Sequence, residues 1–210
     1  MYKISEIAAN IYEKDPAAKS MLEVYLCYPG LHALIFHRLA NTVWHSGFRT
    51  IARMISQLAR FLTGIEIHPA AKIGNRLFID HGMGVVIGET TVIGDDVTLY
   101  QGVTLGADSK ARMGATTRST KRHPTIGNNV VIGSKAEVQG DILIGDNCLV
   151  ASGAIVLESI PANCVVVGVP GRILYDNGIR QNLESSEIKA LKERVSQIEK
   201  IVNLQELNKN

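Results

Sequence analysis

Aliphatic side chains recur on a six-residue beat through the middle of this 210-residue chain, and few architectures satisfy such a pattern. The beat runs through Ile67, Ile73, Ile79 and Val85, slips by two to Ile87, and continues through Ile93, Leu99 and Leu105. After a gap it resumes at Ile126, Ile132, Val138, Ile144, Val150 and Val156. Glycine often follows the beat residue, at Gly74, Gly88, Gly94, Gly106, Gly127, Gly133 and Gly145. Neither the 3.6-residue helix period nor strand alternation generates this spacing. A hexapeptide repeat predicts a parallel β-helix whose coils have three flat faces, each turning one beat residue inward. Glycine or asparagine eases the turns between faces.

The flanks read differently, which makes the fold class α+β: an N-terminal helical domain, a left-handed parallel β-helix and a C-terminal helix. The expected domains are 1–63, 64–175 and 176–210. Ile4 to Lys14 is amphipathic and stops at Asp15-Pro16, because the residue before proline avoids the helical region. Pro29 is placed to open a second helix that Gly47 closes. A third covers Phe48 to Thr63, with Ile51, Met54, Ile55, Leu58 and Leu62 on one stripe, and ends at Gly64. Between Leu105 and Ile126 the beat fails over a polar stretch, expected to be an external loop. From Asn182 to Leu207, Ile188, Leu191, Val195, Ile198 and Val202 step by threes and fours. That spacing predicts a helix with a coiled-coil-like seam, which either packs on its own chain or self-associates.

With 46% hydrophobic and 20% charged residues and a net charge of +2, the chain shows no bulk signal for nucleic acid or membrane. The N-terminus lacks the layout of a signal peptide. The apolar run Leu31 to Trp44 is too short and too polar to cross a bilayer. Cys27, Cys148 and Cys164 form no metal-type pair and are expected to be buried reduced thiols, which suits a cytoplasmic protein.

A β-helix hides its aliphatic residues, so its polar exceptions carry information. Asp80 and His81 directly follow an inward beat residue, and Gly82 and Gly84 stand where backbone must pass close to something. Glu66 precedes His81 by a little under one coil, so the two are expected near each other, and a carboxylate beside an imidazole can fix its tautomer and stabilise its charged form. His68 is expected to pack at a turn. Arg122-His123-Pro124 closes the long loop, and an arginine there can fork onto a carboxylate.

The segments IHPAAKIGNRLFIDHGMGVVIGET, TLYQGVTLG, KRHPTIG and VVGVPGRI resemble the serine O-acetyltransferase family, and the helical KDPAA and YPGLHALIFHR segments extend the resemblance over roughly residues 12–175. Prisms of this fold that carry chemistry are mostly acyltransferases. The resemblance implies an enzyme that moves an acetyl group from acetyl-CoA to serine on the way to cysteine, with no metal. It implies His81 as general base, oriented by Glu66, in a direct transfer without an acyl-enzyme. Asp15 and Asp80 would hold the substrate ammonium and Arg122 its carboxylate, with His123 against the hydroxyl. Gly106 and the Gly133, Ser134, Lys135, Ala136 segment would contact the pantetheine arm. The site would lie between subunits of a homotrimer. Two carboxylates and one arginine also match the charge complement of a free amino acid, which a sugar would not require.

The chain departs from the family pattern at several places. A short glycine-rich loop is replaced by Ala107-Asp108-Ser109-Lys110 and an insertion reaching Lys121, whose cations Lys110, Arg112, Arg118 and Lys121 either meet CoA phosphates or are solvated. Ser134 and Lys135 interrupt the usual IGAGAK. The tail ends Asn208-Lys209-Asn210 and not in the isoleucine that docks relatives onto the sulfhydrylase, so that complex is not expected. Other readings are acetylation of homoserine, another hydroxy-amino acid or a sugar; a zinc carbonic anhydrase built on His68, His81 and His123; and a non-catalytic scaffold.

Overall fold

Four helices precede the repeats in the computed structural model, which describes residues 3–108, 113–114, 119–182 and 186–207. Helix α1 spans Ile4–Lys14 and ends at Asp15, as the proline rule requires. Helix α2, Met21–Cys27, starts at a capping pair: Ser20 Oγ accepts the Glu23 N–H at 3.2 Å, and Glu23 reaches back to the Lys19 N–H at 2.8 Å. Pro29 opens α3, Pro29–His45, and Gly64, in the left-handed region at φ 72°, closes α4, Arg49–Thr63.

The repeats form the three-faced parallel β-helix. Face one stacks β1 (Glu66–Ile67), β4 (Val86–Ile87), β7 (Thr104–Gly106), β10 (Glu137–Gln139) and β13 (Ile155–Val156). Face two stacks β2 (Lys72–Ile73), β5 (Val92–Ile93), β8 (Thr125–Ile126) and β11 (Leu143–Ile144). Face three carries β3 (Phe78–Ile79), β6 (Thr98–Leu99), β9 (Val131–Ile132), β12 (Leu149–Val150) and β14 (Cys164–Val167). Of the beat residues all but Ile73 are buried, and Ile73 packs against the same core. Each such aliphatic is worth roughly 2 kcal/mol when removed from water.

The two-residue slip has a physical cause. Val86 pairs with Glu66, 20 positions earlier, whereas Thr104 pairs with Val86, 18 positions earlier. The surplus lies in the turn from face three to face one, at Asp80 to Gly84.

One facing left open by the sequence is resolved, and two expectations change. The α4 stripe does not face the prism: Ile51, Met54, Leu58 and Leu62 are exposed, while Ala52, Ser56, Ala59 and Thr63 are buried. The prism surface beneath is polar, so small residues suit it; Ser56 Oγ donates to Ile67 O at 2.7 Å, and Arg53 and Arg60 meet Glu66. Cys27 is exposed on α2, whereas Cys148 and Cys164 are buried. Residues after the prism begin as a hairpin and not a helix: β15 (Arg172–Asp176) pairs antiparallel with β14 and with β16 (Ile179–Arg180). Residues 1–180 form one compact unit, and residues 181–210 form a second containing α5, Ser186–Leu207, where Leu191, Val195 and Ile198 are exposed. Lys110, Arg112, Arg118 and the terminal Asn208-Lys209-Asn210 lie outside the described residues.

Candidate active site

The sequence-predicted site residues occupy two different edges of one prism, with face one between them. The edge from face three to face one carries His81. His81 adopts φ 56°, a left-handed conformation costing about 1–2 kcal/mol for a residue with a Cβ. The bend is held by Gly82 N–H to Asp80 O at 2.6 Å and Met83 N–H to His81 O at 3.0 Å. It rests on the preceding coil through Gly84 N–H to Gly64 O at 2.8 Å. Gly82 packs on the Ile65 side chain with no room for a Cβ. The extra residues thus push the imidazole outward, where it is 73% exposed, with Nε2 4.0 Å from Asp80 Oδ1.

Helical residues complete this edge. Asp15 Oδ2 accepts the Tyr28 hydroxyl at 2.5 Å, and Oδ1 accepts the Ala17 N–H at 2.8 Å. Those bonds, Tyr28 foremost, hold the Asp15 carboxyl below its usual range; burial, followed by Asp15, pushes the Tyr28 phenol up. Asp15 feels the charge of His81, and Tyr28 that of Asp80, so all four side chains belong to one cluster. A cavity of about 530 Å³ runs from His81 past Tyr100 and Gln101 to Gly133, Ser134 and Ser152. Gln101 Oε1 is buried there and has no partner among the described residues. Lys135 takes φ 59° at the turn position that glycine fills at Gly102 and Gly153, and is exposed. Ala136 instead points into the core; its N–H goes to Gly133 O, and its carbonyl accepts the Thr104 N–H.

The edge from face one to face two carries Arg122 and His123. Arg122 Nη2 pairs with Glu89, and Nη1 reaches Thr120 O at 3.5 Å. Burial opposes ionisation of Glu89, but the Arg122 hydrogen bond and nearby His68 keep its carboxyl below the usual range. His123 is 8% exposed and lies on Gly88, where a Cβ would fall 1.9 Å from the ring. Its Nδ1 receives the Thr90 N–H at 3.2 Å and lies 2.9 Å from Thr90 Oγ1. Burial, with Arg122 adding, pulls His123 down to about 4. His68 belongs to the same edge: Nδ1 accepts the Ala70 N–H at 3.1 Å, the ring meets Trp44 edge-on at 5.0 Å, and burial lowers it to about 4. Gly106 is here too, its carbonyl accepting the Gly140 N–H at 3.0 Å. A cavity of about 590 Å³ opens beside Glu89, Thr90 and Trp44.

Glu66 is not seen on His81. Its carboxylate meets Arg60 at 3.1 Å and Arg53 at 3.6 Å, while the carboxylate facing His81 is Asp80. His81 lies on a different edge from His68 and His123, and no three metal-type side chains converge among the described residues.

Tyr28, Glu89, Thr90 and Gln101 were not singled out from the sequence. For Glu89 and Thr90 a signal exists once the loop is excised: Thr125 pairs with Val92, 33 positions earlier, and the same offset puts Glu89 under Arg122 and Thr90 under His123. Tyr28 meets Asp15 only through the packing of α1 to α3, which no local spacing encodes.

Two family models match: "Bacterial transferase hexapeptide (six repeats)" over residues 123–158 and "Hexapeptide repeat of succinyl-transferase" over 84–116. The serine acetyltransferase of Synechococcus elongatus is 52% identical over 170 residues, covering 81% of this chain and 67% of that protein. The chain belongs to the serine acetyltransferase family. Among solved structures, serine acetyltransferase of Brucella abortus strain S19 in complex with coenzyme A superposes with TM-score 0.76 and 37% identity, covering 81% of this chain and 66% of that one. Serine acetyltransferase of Neisseria gonorrhoeae in complex with serine gives TM-score 0.74 and 35% identity, covering 80% and 66%. This chain is therefore similar to about two thirds of the length of each of these relatives.

Proposed function

We propose that this chain transfers the acetyl group of acetyl-CoA to the hydroxyl of L-serine, giving O-acetyl-L-serine and CoA. The observation that carries this reading is the charge arrangement: Asp15, Asp80 and exposed His81 at one edge, and Arg122 with neutral His123 at another. Together they match an ammonium, a carboxylate and a hydroxyl to be deprotonated. The relatives crystallised with coenzyme A and with serine support the same pair of substrates.

His81 takes the serine hydroxyl proton, and the alkoxide attacks the thioester carbonyl. The tetrahedral intermediate then expels the CoA sulfur, which takes up the proton from His81. Asp15 and Asp80 hold the ammonium and Arg122 the carboxylate, while His123 lies against the reacting oxygen. Glu66 orients His81 from the coil below, after a side-chain rotation that releases Arg60. The pantetheine arm follows the cavity above His81 along Gly133 and Ser134, with Lys135 at the adjoining turn. Gly106 contacts the arm from the other edge.

Because both halves face outward on separate edges, one substrate is enclosed when the edges of two neighbouring prisms meet, and a homotrimer supplies three such junctions. The exposed apolar stripe of α4, with Phe61 at 85% and Met54 at 67% exposure, supports association of this kind. No helix among the described residues is long and apolar enough to cross a membrane. A cytoplasmic location is the reading that a biosynthetic role supports.

The test is thiol release from acetyl-CoA with L-serine, L-homoserine, a simple galactoside or no acceptor, for wild type and His81→Ala. Serine-dependent release that the substitution abolishes is expected. Release with another acceptor and none with serine would overturn the assignment of substrate, and unchanged turnover in His81→Ala would overturn the base.

A further inference from the structure

Thr90 makes an unusual set of bonds for one threonine. Its Oγ1 accepts the backbone N–H of Arg122 and that of His123, each at 3.0 Å. Among the described residues the hydroxyl proton then has His123 Nδ1 as its acceptor, at 2.9 Å, and the Thr90 backbone N–H points at the same nitrogen from 3.2 Å. A ring nitrogen facing two donors is the unprotonated one, so the imidazole proton belongs on Nε2. Nε2 has no bonding partner among the described residues. The ring lies against Gly88, so close that a methyl group there would collide with it, and the Thr90 bonds at Nδ1 hold its orientation.

We propose that Thr90 is a positioning residue that fixes His123 as the Nε2–H tautomer, making His123 a hydrogen-bond donor to the developing oxyanion. The inference rests on the proposed acetyl transfer, in which His81 alone moves the proton. As the serine oxygen loses its proton to His81 and attacks, negative charge gathers first on that oxygen and then on the former thioester carbonyl. A fixed neutral N–H aimed at that charge stabilises it without being consumed. Thr90 also sets the pitch of the Arg122-His123 backbone, so one side chain places both the carboxylate ligand and the donor. The long insertion arrives directly at this dipeptide, and Thr90, on the coil below, anchors its end.

Histidine labelled with ¹⁵N decides the tautomer. Two-bond ¹H–¹⁵N correlations of the wild-type protein at about pH 7, with the His123 signals assigned by their loss in His123→Gln, should show Nε2 protonated and Nδ1 bare. A proton on Nδ1 overturns the proposal. This measurement needs no substrate, so it decides the tautomer even if the serine assay fails, and the two failures remain distinguishable. In kinetics, Thr90→Ser keeps the hydroxyl and should hold kcat within about threefold of wild type. Thr90→Val removes it and should lose roughly tenfold to a hundredfold in kcat, with the KM for acetyl-CoA within about twofold. A Val variant that turns over serine like wild type, or a Ser variant as poor as Val, overturns the positioning role.

Discussion

Glu89 stands directly beneath Arg122 in the prism, joined to its guanidinium by an ion pair, although the two lie 33 positions apart in sequence. Each is about a quarter exposed, so the pair is screened less than a surface bridge. The acid occupies one side of the guanidinium fork and leaves the arginine a fixed direction in which to present the rest. Arg122 is thereby a pre-positioned carboxylate ligand.

Glu89→Gln should therefore weaken serine binding more than catalysis. The expected result is a KM for serine raised about tenfold, equivalent to ~1.4 kcal/mol, with the KM for acetyl-CoA little changed. Steady-state kinetics with each substrate varied in turn checks this. An equal rise in both KM values would mean that Glu89 supports the fold and not the arginine.

Tyr28 gives a prediction with a sign. Its hydroxyl is the largest influence holding the Asp15 carboxyl below the usual range. Asp15 must be ionised to hold an ammonium, so binding is lost as pH falls through its folded-state pKa. Tyr28→Phe removes the donor, lets that pKa rise toward its ordinary value, and should move the acid limb of equilibrium serine binding, which does not require His81 to be unprotonated, to higher pH. The pH dependence of serine affinity in the two proteins, by calorimetry, measures the displacement. An unmoved limb would place the ammonium elsewhere.

Stability should also depend on a residue far from the chemistry. Burial in α3 pulls His37 down to about 4 from an ordinary 6.5, with His68 adding and the Ala71 backbone opposing. Below 6.5 the unfolded chain binds a proton that the folded one refuses. The contribution of His37 is therefore complete above that pH and is lost as pH falls toward 4, by on the order of 3 kcal/mol. Urea unfolding across this window, comparing wild type with His37→Leu, should show a shallower acid decline in the variant. Identical slopes would contradict a buried neutral imidazole.

The sequence carried the prism almost whole, because a repeat writes its core spacing in every coil. It also carried α1 and α4 to within a residue, through Asp15-Pro16 and Gly64. The slip between Ile79 and Ile87 was visible without its meaning, which is the enlarged turn presenting His81. The facing of α4 was not legible, because an apolar stripe ordinarily points at the core, while the surface under this helix is polar at Glu66. Glu89 and Thr90 were hidden by the insertion that obscures coil register, and Tyr28 by its dependence on helix packing. The Glu66–His81 pairing expected from near-coil spacing meets competition from Arg53 and Arg60, cations on another element that sequence spacing does not bring into view.

The central claim is that one active site is assembled from two edges belonging to different subunits, and complementation tests it most directly. His81→Ala and Arg122→Ala should each be inactive alone. If the site is shared, mixed assemblies from equal amounts of the two refolded together contain junctions with an intact His81 from one chain and an intact Arg122 from its neighbour. Random mixing puts these at about a quarter of all sites, so the mixture should recover about a quarter of wild-type turnover. A mixture as inactive as its components, with mixed assembly verified by differential tagging, would show that each chain holds a complete site and would contradict the account.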